Sequence, residues 1–547
     1  MALSLLPLSL RLRRAARRHF GWRRLRTGQL DAMRAVLKRR DALAVLPTGH
    51  GKSAIYQVPA TLLDGPTVVI SPLLALQSDQ IAALLGRDDP ALRAVRVSSA
   101  ETPGQQRAAL AAVRGGAARF LFITPEQLAE PERLAEVRAL KPALVAVDEA
   151  HCISAWGHDF RPDYLQLGHL IGELGRPPVV ALTATASPPV REDITARLRL
   201  REPRLVVTGL DRPNLYLEAV GCVTEEDRYR RLLERLRDEE PPGIVYAPTR
   251  RIAEDLADRL VGEGIKAQAY HGGMAAAERT RRHEAFQRDE IPVMVATSAF
   301  GMGIDKPNIR YVVHVALPDS PDSYLQEIGR AGRDGAPART LLLHRAEDMA
   351  LQRFFVGGIP ERAELSRLAT ALRDGPVRKS DLAHDLGLGT RRLGHDIALL
   401  ERVGAAVTVA NGKVTAPRFA PAPDEAVRLA VAEARRQQTV QRSRTDMMRQ
   451  FAEGRGCRAQ YLLAYFGEQL AGACRHCDNC DRKPVPGPRR SAENMPYPVH
   501  STVRHAEWGA GMVLRYEQDR VIVLFDDVGY KTLSVPVVVA GGLLTPA

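Results

Sequence analysis

Three sets of residues in this chain have the types and spacing that chemistry requires. The segment AVLPTGHGKSAIYQ (44–57) sets Thr48, Gly49, Gly51, Lys52 and Ser53 between an apolar, strand-like run and a helical pattern. Glycines there let backbone N–H groups close around phosphates, and a helix N-terminus adds a favourable dipole. Lys52 would reach the β- and γ-phosphates of a nucleotide and Ser53 would hold Mg2+. Leu46 stands where the general pattern has its first glycine, so an incidental turn is the competing reading. The second set is the run Val145-Ala146-Val147 closing in Asp148-Glu149-Ala150-His151. An Asp at a strand end can hold Mg2+, and the adjacent Glu can orient and deprotonate an attacking water. Alone, two acids could be a polar boundary; downstream of a phosphate loop they complete a hydrolytic pair. The third set is Cys457, Cys474, Cys477 and Cys480, the last three spaced C-x2-C-x2-C. Four thiolates suit structural, tetrahedral Zn2+ and also an iron–sulfur cluster, and spacing leaves both open. Cys152 and Cys222 stand apart and are expected to pack as small apolar groups.

The elements that must position these residues follow from the hydrophobic pattern. From about residue 30 to 345, short apolar runs such as TVVISP, FLFITP, VVALTAT, GIVYAP and YVVHVAL alternate with amphipathic stretches rich in Ala, Leu and Arg. That alternation predicts βα units around buried parallel sheets. Two such sets, divided near Asp211-Arg212-Pro213-Asn214, predict two α/β lobes. Residues 361–416 read as three short helices and a Gly-containing hairpin, a winged helix-turn-helix pattern. A longer helix over roughly 424–452 leads into the cysteines, and DRKPVPGPRRSAENMPYP reads as a linker. Residues 500–540 alternate apolar and polar around Gly-rich turns, which predicts a small β-barrel.

Composition sets the outer limits. The chain has 547 residues, 45% hydrophobic and 26% charged, with ample core for several domains. No apolar run approaches the ~18 residues that span a bilayer, so no membrane partner is expected. Lys and Arg number 77 against 64 Asp and Glu, a net +13 that suggests a polyanionic partner such as nucleic acid. Residues 11–40 hold twelve basic side chains and only Asp31 as an acid, so this stretch is either a binding arm or a helix surface. The apolar start followed by arginines reverses the order of a secretory signal; a transit peptide is the minor alternative to a helix leading into the first motif. Six cysteines, four of them clustered, favour a reducing compartment and a metal site over a disulfide scaffold. Only nine of the basic residues are Lys, which hints at a GC-rich bacterial genome and no more; a cytoplasmic, nucleoid-associated location is a separate expectation.

With these motifs in view the chain resembles superfamily-2 helicases, and the RecQ family in particular. The resemblance is carried in order by FGWRRLRTGQ (20–29), LPTGHGKSAIYQ (46–57), VISPLLALQSDQ (69–80), ITPEQL (123–128), DEAHCISAWGHDFRPDY (148–164), LTATA (182–186), IVYAPTR (244–250), ATSAFGMGIDKPNIRYVVH (296–314) and YLQEIGRAGRDG (324–335). The cysteines and their surroundings, CRAQYLLAYFGE and CRHCDNC, resemble the RecQ zinc subdomain, which favours zinc over iron. The resemblance implies a RecA-like first lobe over 1–210 and a second over 211–345. Winged-helix-like residues 346–420, a zinc-binding subdomain over 421–483, a linker over 484–499 and a barrel over 500–547 would follow. It further implies ATP, Mg2+ and Zn2+ as cofactors. Single-stranded and tailed or branched duplex DNA would be the partner, and 3′→5′ unwinding in repair or recombination the activity.

Residue roles are implied in the same way. Arg26 and Gln29 would read the adenine edge while Trp22 stacks on its face, with core packing as the alternative for Trp22. Arg333 is expected as an arginine finger and Arg330 as a γ-phosphate or interlobe contact, with Gln326 heading that motif. Asp305 would touch the ribose or the Mg2+ water network, or else cap its loop. Trp156, His158, Phe160 and Arg161 match an aromatic-rich loop that couples DNA to hydrolysis. Thr183 and Thr185 would link the ATP and DNA states. Ser71, Thr124, Thr249 and Thr297 would hold the DNA backbone or serve as N-caps.

The pattern departs from the family in its C-terminal half. The winged-helix-like stretch precedes the zinc ligands, so no strand-separating hairpin carries over, and its helix TRRLGHDIALLERVG could enter a groove through Arg391 and Arg392 or act as scaffold. The final barrel resembles the Tudor- or SH3-like modules of some repair helicases. With four basic and six acidic residues from 491 on, it suits protein docking better than DNA. The competing functions are an RNA helicase or remodeller and a non-enzymatic zinc-stabilised binding protein.

Overall fold

The computed structural model describes residues 6–546, leaving out Thr27, Thr48, Leu73, 155–160, 302–305, 349–358, 410–412, Ala471, 483–494, 499–500, Gln518 and 526–527. Seven short strands build the first lobe: β1 (Ala42–Val45), β2 (Thr67–Ile70), β3 (Ala94–Val97), β4 (Phe120–Ile123), β5 (Leu144–Val147), β6 (Val179–Thr183) and β7 (Arg204–Val207). They pair in the order β3-β4-β2-β5-β6-β1-β7, every pair parallel. Most are buried along their whole length, which is why they read as continuous Val/Ile/Leu runs. The second lobe orders β8 (Leu215–Gly221), β9 (Gly243–Tyr246), β10 (Ala267–Tyr270), β11 (Val293–Ala296), β12 (Tyr311–His314) and β13 (Ala338–His344) as β10-β11-β9-β12-β13-β8, again all parallel. These are the two RecA-like lobes that the resemblance implied. In each, the loops at the strand C-termini face the crevice where α/β sheets bind ligands.

The basic N-terminal stretch is a helix surface. The helix Leu8–Phe20 buries Leu12, Ala15, Ala16 and Phe20 in the first lobe's core and turns Arg13, Arg14, Arg17 and Arg18 to solvent. Its basic last turn sits at the negative end of the helix dipole.

Beyond the lobes, helices Arg362–Ala371, Lys379–Leu386 and Thr390–Arg402 combine with an antiparallel sheet of β14 (Val377–Arg378), β15 (Val407–Thr408) and β16 (Lys413–Thr415). The last of these helices buries Leu393, Ile397, Leu399 and Leu400, and Arg392 pairs with Glu361 (3.3 Å) and Glu364 (2.7 Å). The Arg391 side chain lies outside the described residues.

One helix, Pro423–Glu453, serves two cores. Its N-terminal turns bury Ala426, Val427, Ala430 and Val431 with the winged-helix-like leucines, and its C-terminal turns bury Met448, Phe451 and Ala452 in the second lobe. The chain ends in an antiparallel sheet of β17 (Thr502–His505), β18 (Gly509–Glu517), β19 (Arg520–Phe525), β20 (Gly529–Ser534) and β21 (Leu544–Pro546), ordered β20-β19-β18-β17-β21. Tyr497, within the stretch read as linker, is buried in this module's core and donates its hydroxyl to the Leu544 carbonyl (2.8 Å).

Candidate nucleotide and metal sites

The phosphate loop leaves β1 with Gly49 and Gly51 at φ 79° and 71°, conformations that β-carbons disfavour. Its carbonyls are gripped from outside. Gln29 Nε2 donates to the carbonyls of His50 and Gly51 (both 2.9 Å), Arg26 Nη1 to that of Gly49 (2.5 Å), and Lys52 Nζ to that of Leu46 (3.3 Å). Arg26 and Gln29 therefore meet the loop's backbone, and the Gln29 Oε1 accepts from the Arg26 N–H (2.8 Å). Trp22 stacks on Phe20, centroids 4.5 Å apart, with the Arg87 guanidinium 5.6 Å from its ring. Ser53 opens the helix Ala54–Ala60, and Thr48 lies outside the described residues.

Across the loop, β5 ends in a buried acid. Asp148 accepts from Gln80 Nε2 (2.9 Å) and from the Glu149 N–H (3.0 Å), and Gln80 in turn accepts from the Tyr56 hydroxyl (2.7 Å). Burial raises the Asp148 carboxyl from 3.8 to about 6; the Glu149 charge adds to the rise, while Gln80 and Lys52 oppose it. Glu149 sits at φ 47°, ψ 47°, a left-handed turn that carries its carboxylate back toward His151 (3.3 Å). His151 Nδ1 also meets Thr183 Oγ1 (2.9 Å), and the Thr183 hydroxyl contacts the Thr185 carbonyl (3.0 Å), joining the acid pair to the loop after β6. Burial works to lower the His151 pKa, but neighbouring Cys152 and Glu149 outweigh it and raise it.

The second lobe delivers arginines to this place from the turn after the helix Pro321–Ile328. A β-carbon built on Gly49 would meet Arg333 Cγ at 3.3 Å, so the Arg333 stem rests on the phosphate loop. Arg330 is buried inside its own lobe, with Nη2 3.3 Å from the β-carbon position of Gly301. Gln326 and Thr185 line one crevice between the lobes, together with Pro47, Asp211 and Arg212.

Two residues of the site escaped the sequence reading. Arg212, seen there only as part of a lobe boundary, donates to the carbonyls of Ala331 (2.9 Å) and Gly332 (2.8 Å) and so holds the turn bearing Arg333. His50, between the loop glycines, is held down at about 4 by burial and by the charges of Arg26, Arg212 and Lys52. Such a convergence of cations fits a polyphosphate, and the ionised carboxylate of Asp148, with the hydroxyl of Ser53, would supply hard oxygen donors of the kind that Mg2+ takes. The signal for Arg212 was its place beside a Pro in a short boundary, which only tertiary contacts give meaning.

The remaining expected residues divide. Thr124 and Thr249 cap helices, accepting from the N–H groups of Gln127 (3.5 Å) and Ile252 (3.2 Å). Ser71 is fully buried, and the Thr297 N–H donates to the Tyr270 carbonyl. Arg161 Nη1 donates to the Pro72 carbonyl (3.3 Å). Trp156, His158, Phe160 and Asp305 lie outside the described residues. Cys152 and Cys222 are buried in apolar cores, as expected.

Cys457, Cys474, Cys477 and Cys480 bring their sulfurs within 4.8 Å of one another. Tetrahedral Zn2+ at ~2.3 Å from each sulfur would space them about 3.8 Å apart. Cys474 and Cys480 stand at 3.8 Å, so the donor set fits a structural zinc ion without an open position. The cluster is tied to the edge of the second sheet: the Leu217 N–H donates to the His476 carbonyl (3.0 Å), and buried Arg458 bridges Asp478 (2.5 and 2.8 Å) and the Ala219 carbonyl (3.4 Å).

Comparison with known proteins agrees with this arrangement. Residues 26–194 match the DEAD/DEAH box helicase model, 227–335 the helicase conserved C-terminal domain and 424–481 the RecQ zinc-binding model. The chain is 42% identical over 340 residues to the ATP-dependent DNA helicase RecQ of Bacillus subtilis, covering 62% of this chain and 57% of that one. It is 40% identical to the RecQ of Pasteurella multocida, over 60% and 52% of the two chains. The chain thus spans little more than half the length of these relatives. Among solved structures, the helicase MrfA bound to DNA and AMPPNP shares the fold at TM-score 0.50 and 18% identity, over 77% of this chain and 63% of that one.

Proposed function

Because the chain belongs to the RecQ family of superfamily-2 helicases, we propose that it is an ATP- and Mg2+-dependent 3′→5′ DNA helicase acting in repair or recombination. The observation that carries the proposal is the Arg333 stem against Gly49, which puts a cation of the second lobe at the phosphate loop of the first. Lys52 and Ser53 bind the phosphates and metal, Asp148 holds the metal, and Glu149 takes the proton of the attacking water. Bound Mg2+ supplies charge neutralisation at the phosphates. Arg333 stabilises the charge of the transition state and makes hydrolysis conditional on lobe closure; Arg330, buried in the second lobe, transmits that closure. Arg26, Gln29 and Trp22 receive the adenine once their contacts with the loop and with Phe20 loosen. The path Glu149–His151–Thr183–Thr185, an ion-pair contact followed by hydrogen bonds, with Gln326 across the crevice, supports a link from ATP state to DNA grip. Trp156, His158, Phe160 and Arg161 stack on single-stranded bases in this reading, and Asp305 contacts the ribose.

Single-stranded and tailed or branched DNA is the proposed substrate, with a protein partner for the acidic C-terminal module and a cytoplasmic, nucleoid-associated location. Among the described residues no helix is long and apolar enough to cross a membrane. The test is unwinding of 3′-tailed, 5′-tailed, forked and blunt DNA, with DNA- and RNA-stimulated ATPase in parallel. Lys52→Ala is expected to abolish both activities. Unwinding by that variant, 5′-tail dependence or preferential stimulation by RNA would each refute a stated part.

A further inference from the structure

The C-terminal β-module is packed into the motor by buried polar groups. Tyr530, on β20, places its hydroxyl 3.4 Å from that of Tyr465 on the zinc-subdomain helix Arg458–Tyr465. Tyr465 donates to the carboxylate of Asp322, in the first turn of the helix Pro321–Ile328. The guanidinium of Arg444, from the long helix, is buried among Tyr465, Asp322 and Tyr530. Four elements thus meet at this junction: the β-module, the zinc subdomain, the long helix and the second lobe. An apolar cluster of Leu210, Met447, Leu463 and Phe466 with Leu325 and Tyr530 surrounds the same point.

Two further contacts fix this junction. Gly529, at φ 68°, lies so close to the long helix that a β-carbon there would stand 2.8 Å from Ser443 Oγ and 3.3 Å from the Thr439 carbonyl. From the same helix, Gln441 and Thr445 donate to the Asp319 carbonyl (3.3 and 3.5 Å), just before the Ser320 that caps the Asp322 helix. Asp322 precedes Gln326 by one helical turn, and the same helix runs into the turn carrying Arg330 and Arg333.

We propose that the C-terminal β-module is a working part of the ATPase, in which Tyr530, Tyr465 and Arg444 are positioning residues that set the Asp322 helix and, through it, the arginines of the second lobe. Hydrogen bonds among buried polar groups hold only in one geometry, and here phenols from two other modules are linked to the Asp322 carboxylate, Tyr465 directly and Tyr530 through Tyr465. Movement of the β-module shifts the Asp322 helix, and a displacement of ~1 Å at a catalytic group costs up to about a hundredfold in rate. The inference rests on the reading of Arg330 and Arg333 as groups of ATP hydrolysis.

The test compares kcat and KM for ATP at saturating single-stranded DNA in the full chain. The variants are Tyr530→Phe, Gly529→Ala, Ser443→Ala and the Gly529→Ala/Ser443→Ala double. Tyr530→Phe and Gly529→Ala are expected to lower kcat by about three- to thirtyfold with KM within about twofold, the signature of an interaction made in the transition state. Ser443→Ala removes the clashing oxygen and is expected to restore part of the Gly529→Ala loss, a coupling that independent sites lack. Unchanged kcat in Tyr530→Phe and Gly529→Ala overturns the inference. So does a kcat loss that comes with loss of bound zinc or of the cooperative melting transition, because the role is then structural. A wild-type chain without DNA-stimulated hydrolysis instead refutes the functional reading beneath it.

Discussion

Asp148→Asn is expected to stabilise the nucleotide-free protein while abolishing ATP hydrolysis. The carboxyl's ordinary value is 3.8, and burial beside Glu149 lifts it to about 6 in the folded chain. Below 3.8 folded and unfolded states are both protonated and the group contributes nothing. Between 3.8 and about 6 the unfolded chain gives up this proton while the folded chain retains it, so stability falls as pH rises. Above about 6 the cost is constant. At about 1.36 kcal/mol per pH unit, the rise corresponds to roughly 3 kcal/mol, an upper bound for what neutralisation returns. Asn keeps the acceptor for the Glu149 N–H, and Gln80 can turn its amide, since the Tyr56 oxygen can also accept. For a lobe of this size ~1 kcal/mol moves the midpoint by about 2–4 °C, so an increase of roughly 3–10 °C is expected at pH 7.5. Thermal melting without Mg2+ or nucleotide, at pH 4.5, 5.5, 6.5 and 7.5, checks it. The gap between variant and wild type should open across this range and level off above about pH 6. A variant that melts at or below wild type at pH 7.5, or a gap indifferent to pH, would refute the reasoning.

Three other outcomes are expected. Arg333→Ala should lower DNA-stimulated kcat by about 10³-fold or more while ATP still binds, measured by steady-state hydrolysis and nucleotide titration; a loss under tenfold would remove it as the finger. Replacing Arg13, Arg14, Arg17 and Arg18 by Gln should reduce the slope of log affinity against log salt by about 0.9 for each DNA phosphate they contact, read by fluorescence anisotropy across a salt series. An unchanged slope means that this face is merely solvated. Cys474→Ser should abolish tight zinc binding, read by metal analysis, and lower the melting temperature, because the cluster anchors the strand-like Cys477 segment to the edge of β8.

The phosphate loop, the Asp-Glu pair and the cysteines were legible because each is a local arrangement. Residue type and spacing alone impose a glycine-lined turn, a strand-terminal acid or a four-sulfur cage, and the sheets follow from continuous apolar runs. The N-terminal charge was harder to place. Twelve basic side chains left an arm and a helix surface both open; Leu12, Ala15, Ala16 and Phe20 recur at helical spacing, and their burial makes residues 8–20 a lobe helix with a basic outer face. The domain edges were blurred for a related reason. Periodicity marks a helix over roughly 424–452 but carries no information on which core each turn enters, and this helix enters two.

By itself, then, the sequence determined the chemistry available: phosphate, metal and zinc groups whose geometry is set within a few residues of chain. Tertiary structure alone decided which distant groups work together. Arg212 acquires its role from carbonyls of the turn bearing Arg333, and Arg26 and Gln29, expected at an adenine edge, meet the carbonyls of the phosphate loop. The Tyr530–Tyr465–Asp322 junction joins residues from three parts of the chain. Such contacts depend on burial and on the relative placement of whole elements, quantities that no local pattern of side chains encodes.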